Sequence, residues 1–248
     1  MRTEVAVTAH ADGRLDFSAS GALTARPTGP CTVHLVGTAA GPLDGDTLRV
    51  VLRVLVGARL QVRTVAASVV LAGVSQACWE LHVAAGGVLE LVPEPTIVTA
   101  LAVHRSQVRA ILHDEASLLV TERVQLGRAG EEPGRWTGSL HVDRGGQPLL
   151  RHQVNLGPGS PGHDHVDPGR CGSTARIAQD ALVSTLRVPD DARAGVSGQV
   201  VVLPLARGGT LTVELRQREQ RSGLRLGMGA EDDRRSQLGQ APIGLQAG

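Results

Sequence analysis

A spacing of 29 residues governs this chain. The segment 52–62 (LRVLVGARLQV) aligns with 81–91 (LHVAAGGVLEL), and that with 110–120 (AILHDEASLLV), each step being 29 residues. Leu52, Leu81 and Ala110 share one column. Val54, Val83 and Leu112 share a second, and Leu60, Leu89 and Leu118 a third. A fourth copy, 140–150 (LHVDRGGQPLL), begins 59 residues after Leu81, one more than twice the period. In each copy one strand ends at a small-residue or acidic turn and the next begins directly. Strand pairs at fixed spacing bury their apolar faces by stacking on the neighbouring pair. The expected fold is mostly β, a stacked two-layer, β-helix-like (solenoid-like) body with few short helices. A sandwich whose hairpins merely have similar lengths is the alternative.

Apolar alternation at period two marks strands at 47–56, 59–64, 79–83, 117–126 and 149–156, with a hairpin over 198–216 turning at Gly208-Gly209. The best helix pattern is 173–186, with Ser173 as N-cap, although its second half reads equally well as strand. Residues 157–172, rich in glycine and proline, read as a loop. These features place a single β domain at 1–216. The polar, aperiodic segment 217–248 is expected to be a disordered tail.

With 248 residues the chain is long enough to bury a large core, and its formal net charge of +1 gives no electrostatic case for nucleic acid or an anionic membrane. Lysine and tyrosine are absent, and Phe17, Trp79 and Trp136 are the only aromatic residues apart from histidine, so bases and sugars have little to stack on. Cys31, Cys78 and Cys171 are odd in number and far apart, which argues for a reducing compartment. The N-terminus lacks an apolar leader and no run approaches the ~20 residues of a membrane helix. A soluble cytoplasmic protein is expected.

Chemistry-bearing residues appear singly. No G-x-S-x-G, P-loop, H-E-x-x-H or C-x-x-C is present. His163, Asp164 and His165, with Cys171 nearby, carry ligand types that suit nickel or zinc, but on a loop that reads as solvated. Glu122 falls mid-strand in SLLVTERVQLGR. On an inner face its carboxylate needs a partner, water or a use; otherwise it faces outward and Arg123 lies inside. His152 carries the same ambiguity. Asp46 reads as part of an ordinary Asp-Gly-Asp turn and Ser68 as a small strand residue. Pro93 and Pro95 flank Glu94 and exclude a regular central strand, so Glu94 is held at a fixed angle, at the surface or on an internal wall.

Taken together, TVHLVGTAAGPLDGDTLRV, GARLQVRTVAAS, GGVLELVPEPTI, SLLVTERVQLGR and GQPLLRHQVNL resemble the successive blocks of the urease accessory protein UreD (UreH) family, over residues 31–157. Pro93-Glu94-Pro95-Thr96 and Leu126-Gly127-Arg128 are the most recognisable parts. The resemblance implies a non-enzymatic scaffold of helically stacked strands. It implies binding to the urease apoenzyme subunits and to UreF, with the GTPase UreG recruited through UreF. It further implies no permanent cofactor, only a transient nickel ion moving through an internal passage toward urease. The family's passage positions fall at Asp46, Ser68, Glu122 and His152. Leu43-Asp44-Gly45-Asp46 replaces a glycine pair in the first block, and His152 stands where relatives can carry glutamate. Rival readings are a nickel- or zinc-storing protein using His163, Asp164 and His165 and a polysaccharide-active enzyme on a stacked β body.

Overall fold

Valine and leucine at alternate positions, with almost no aromatic residues, can build a core only by layering sheets. The computed structural model describes residues 1–160, 168–177, 198–206 and 208–217, which fall within one compact unit, Met1–Arg218. Its first strands are β1 (Arg2–Ala9), β2 (Leu15–Ser20), β3 (Leu23–Gly29), β4 (Thr32–Gly37), β5 (Thr47–Val54) and β6 (Arg59–Thr64). The stacked body continues through β7 (Ser68–Val70), β8 (Gly73–Val83), β9 (Val88–Leu91), β10 (Thr96–Val98), β11 (Ala102–Leu112) and β12 (Ser117–Leu126). After these come β13 (Arg135–Arg144), β14 (Gln147–Leu156), β15 (Pro168–Ile177), β16 (Gly198–Pro204) and β17 (Thr210–Gln217).

Two sheets result. Sheet A runs β14-β13-β11-β8-β5-β1-β2. Sheet B runs β16-β17-β15-β12-β9-β6-β4-β3, with β10 and β7 extending it beside β12. The middle of each sheet is parallel and its flanks antiparallel. From β5 to β12 the chain coils as a solenoid, each turn giving a long strand to sheet A and a broken or continuous one to sheet B.

The 29-residue spacing is the hydrogen-bond register itself. Leu52 pairs with Leu81 and Leu81 with Ala110 in sheet A; Leu60 pairs with Leu89 and Leu89 with Leu118 in sheet B. The turns stack at the same interval: Ala58, Gly87 and Ala116 each donate a backbone hydrogen bond to Leu55, Ala84 and His113, at 3.0 Å in every case. The five leucines are at most 2% exposed. A solenoid, not a sandwich of matched hairpins, is what the repeat encodes.

The fourth copy departs from the expected frame. Val142, not Leu140, pairs with Ala110, and Leu140 pairs with Val108. The shift of two residues keeps the same face inward. Instead of crossing to sheet B, the chain reverses at Gly145-Gly146, both with positive φ (55° and 73°), as a two-residue hairpin turn of the primed type requires. β14 therefore stays in sheet A, and the open edge of β12 is taken by β15. That pairing decides the segment expected as a helix: Thr174, Ala175 and Arg176 pair with Thr121, Val120 and Leu119, so 173–177 is strand. Tertiary pairing overrides the local pattern. Residues 178–186 lie outside the described residues, and no helix occurs among the described ones.

Two further boundaries move. The expected loop 157–172 gives way to β15 at Pro168, and β17 reaches Gln217, one residue into the expected tail; residues 218–248 lie outside the described residues. The hairpin at 198–216 is present as β16 and β17. No helix among the described residues is long and apolar enough to cross a membrane.

Candidate functional site

Parity within the strands decides what faces the interior. Two apolar clusters fill most of the space between the sheets. The larger includes Leu52, Leu81, Leu89, Leu112 and Leu118; the smaller includes Val70, Val98, Val124, Leu126, Trp136 and Leu156. Between them the inner face of sheet A changes character. One row reads Leu48, Ala77, Ser106, Gly138, Val154 across β5, β8, β11, β13 and β14. The next carries Ser75, His104 and Trp136, with Asp46 one step beyond the Thr47–Gln76 pair. Small and polar side chains here leave the sheets unsealed.

Sheet B opens over the same place. Its register pairs stop at Val62–Leu91–Val120 and resume at Ser68–Thr96–Val124. Between these rows β12 contributes three residues (121–123), the adjacent chain four (92–95) and the next five (63–67). The ladder fans apart by one residue per rung. Pro93 and Pro95 sit in this gap, where their missing N–H groups leave no pairing unmade. Cross-links hold the gap's edges. The Glu94 N–H donates to Thr64 Oγ1 at 2.8 Å, Ser68 N–H to the Pro95 carbonyl at 3.1 Å, and Arg123 to the Pro93 carbonyl at 2.8 Å. Arg123 also lies 3.6 Å from the Glu94 carboxylate.

Beneath the gap is a cavity of about 70 Å³, bounded by Ser68, Thr96, His104, Ser106, Glu94 and Glu122 among others. It has room for a few waters and the polar partners to hold them. A larger cavity of about 450 Å³ adjoins it, with Asp46, Thr3 and Ala67 on its wall. The two share Pro42, Leu48, Thr64 and Ser68.

The four expected passage residues do not all meet. Glu122 faces inward, and Ser106 from the opposite sheet donates a short hydrogen bond to its Oε1. Burial pushes the Glu122 carboxyl up to about 7, opposed by that hydrogen bond. The alternative, with Arg123 inside, does not hold. Ser68 borders both cavities, and Asp46 borders the larger. Both Asp46 oxygens are engaged: Oδ1 by the Met1 amine and Oδ2 by the Leu43 N–H at 2.8 Å, bonds that hold its carboxyl below the ordinary range. His152 stands apart. It faces inward on β14 opposite Leu140, and neither cavity's wall includes it. Its Nε2 is buried without a hydrogen-bond partner, and burial lowers its pKa.

The motif residues are architectural as well. Glu94 is 48% exposed at its side chain and also borders the cavity, so it belongs to surface and wall at once. Leu126 closes the smaller apolar cluster. The Gly127 N–H donates to the Val98 carbonyl at 2.7 Å, and its φ of +69° suits glycine. Arg128 pairs with Glu131 at 2.8 Å and holds that carboxyl down at about 2, which ties the turn leading to β13. His163, Asp164 and His165 lie outside the described residues. Cys171 belongs to β15, paired with Val124 and Leu215, not to a loop. Among the described residues no group of three or more His, Cys, Asp or Glu side chains is placed to hold a metal ion.

His104 and Ser75 were not singled out by sequence reasoning. His104 is 3% exposed, Ser75 also 3%, and the Ser75 hydroxyl lies 2.9 Å from His104 Nδ1. Burial lowers the imidazole's pKa to about 4, so it is neutral. A signal was available: 75 and 104 differ by the period, and both carry inward parity.

The chain matches the family model described as UreD urease accessory protein over residues 14–218. It is 42% identical over 133 residues to urease accessory protein UreD 1 of Saccharopolyspora erythraea, covering 52% of each chain. Similarity to urease accessory protein UreD of Frankia alni extends over 209 residues at 36% identity, 76% of this chain and 70% of that one. With the Streptomyces avermitilis protein of the same name it is 36% identical over 188 residues, 74% of each. The chain spans about half the length of the first of these relatives. These are accessory proteins by name. The chain belongs to the UreD family of urease accessory proteins.

Proposed function

We propose that this chain is a urease maturation factor that binds the urease apoenzyme and UreF, with UreG joining through UreF, and passes nickel through the inter-sheet cavities toward the urease active site. The observation that carries the reading is the cavity under the split in sheet B, where single carboxylates, hydroxyls and one imidazole, with the Arg123 guanidinium and apolar side chains between them, line the wall in place of a ligand cage. A divalent ion in such a space exchanges part of its hydration shell for protein oxygens, and a conduit needs sites weak enough to let go. Glu122 suits that task. Half-protonated near neutrality, it must lose its proton to bind a cation, and this competition weakens the hold. Asp46, Ser68 and Glu122 then act as successive contacts along the route. His152, outside both walls, acts only if the route extends toward β14.

The test is assembly and loading together. Tagged urease subunits expressed with UreF and UreG are expected to capture this chain, and the matured urease to contain nickel only when the chain is present. Failure of capture, or full loading without the chain, contradicts the proposal.

A further inference from the structure

We propose that His104 is a ligand of the travelling cation. With Glu122 it forms a two-residue way-station that favours nickel-like ions over magnesium and calcium. The proposal rests on the passage reading and specifies its selectivity.

His104 and Glu122 come from opposite sheets yet border the same cavity. His104 projects inward from β11 two residues before Ser106, whose hydroxyl is bonded to the Glu122 carboxylate. An imidazole nitrogen, a carboxylate oxygen and a hydroxyl oxygen are thus gathered around a space that holds a few waters. Ser75 fixes the imidazole through Nδ1 at 2.9 Å. When Nδ1–H donates to the Ser75 oxygen, Nε2 is left as a lone pair. That is the arrangement in which metal-bound histidines are held, one nitrogen on the metal and the other donating to a fixed acceptor. The hydrogen bond of the His104 ring among the described residues is the one at Nδ1, to Ser75.

Ligand chemistry gives the site its role. A passage bounded by oxygen atoms alone suits magnesium and calcium, which bind oxygen and little else. Imidazole raises the affinity for nickel, zinc and cobalt relative to those hard ions. One nitrogen with one carboxylate discriminates without trapping, because the remaining coordination positions stay with water and hydroxyls.

The test uses the full chain. Crystals soaked in nickel chloride and measured at the nickel absorption edge are expected to show an anomalous peak bonded to His104 Nε2 and facing Glu122. In cells with the complete urease maturation set, His104→Leu is expected to lower urease nickel content several-fold at limiting nickel and high magnesium, with recovery at high nickel. Ser75→Ala, which frees the ring without removing it, is expected to give a smaller loss. Capture of the variants by urease and UreF is expected to equal that of the parent. If Glu122→Gln lowers loading while His104→Leu does not, and nickel in the cavity does not touch Nε2, the way-station is wrong and the passage stands. If neither variant lowers loading and no nickel enters the cavity, the passage reading fails and takes this proposal with it.

Discussion

Ser106 on β11 and Glu122 on β12 join the two sheets across the interior by a hydrogen bond from hydroxyl to carboxylate. Ser106 stands between Ala77 and Gly138 in its row, so the sheets meet there through polar atoms, whereas apolar clusters fill the space on either side. A carboxylate in that position costs stability unless it is protonated, hydrated or used.

Glu122→Gln keeps the volume and the hydrogen bond to Ser106 while removing the charge. The variant is expected to fold and assemble like the parent and to lower the nickel content of co-expressed urease. Metal analysis of purified urease, with co-purification as the control for assembly, makes the comparison.

The same residue sets a pH dependence. Its folded pKa of about 7 exceeds the ordinary carboxyl value of 4.5, so the folded state holds the proton more tightly than the unfolded chain. The protonated form's advantage is present in full below pH 4.5 and is lost as pH rises through 7. The loss attributable to Glu122 is about 3 kcal/mol. His104, Glu94 and Arg123 border the same cavity, and Arg123 keeps its charge throughout. His104 is neutral through this window, leaving Glu122 as the buried group that titrates in it. Urea unfolding at pH 5 and pH 8 is expected to show a larger drop in the parent than in Glu122→Gln. Equal drops contradict the assignment.

Gly138 is required by Trp136. A Cβ on Gly138 would stand 2.0 Å from Trp136 Cη2, and the indole is only 2% exposed, with little room to move. Gly138→Ala is expected to cost about 2 kcal/mol through overpacking and to change the fluorescence of the buried tryptophan. Unchanged stability and emission contradict this packing.

The stacked leucines carry the core. Leu89 is fully buried between Leu60 and Leu118, so Leu89→Ala is expected to cost about 2–5 kcal/mol. Phe17, 47% exposed on edge strand β2, is expected to change stability by less than about 0.5 kcal/mol when replaced by alanine. Denaturant midpoints for the two variants decide whether the repeat columns or the scarce aromatics hold the fold.

What could be read from sequence followed what repeats. Leu52, Leu81 and Ala110 announced the register because a parallel ladder turns a constant period into contacts. Glu122 announced itself as an acid within an apolar alternation. The departures came where a local device or a distant partner decided. Gly145-Gly146 reverses the chain and moves the fourth copy by two residues, and the open edge of β12 draws 173–177 into a strand. Ser75 and His104 lie in different turns of the coil, so no local motif joins them; only the period, applied to polar as well as apolar columns, pairs them. The split in sheet B was half legible. Two prolines said that the strand breaks, but the widening gap depends on the count in three chains at once.

On the proposed route the cargo ion crosses the space between Ala77, Ser106 and Glu122. Ala77→Leu removes no polar atom and fills that space from the wall of sheet A. The direct measurement is nickel per active site in urease matured with Ala77→Leu in place of the parent chain, in a strain where both chains are captured equally by urease. Nickel well below the parent level is expected even when external nickel is raised. Full occupancy with the space filled would contradict it.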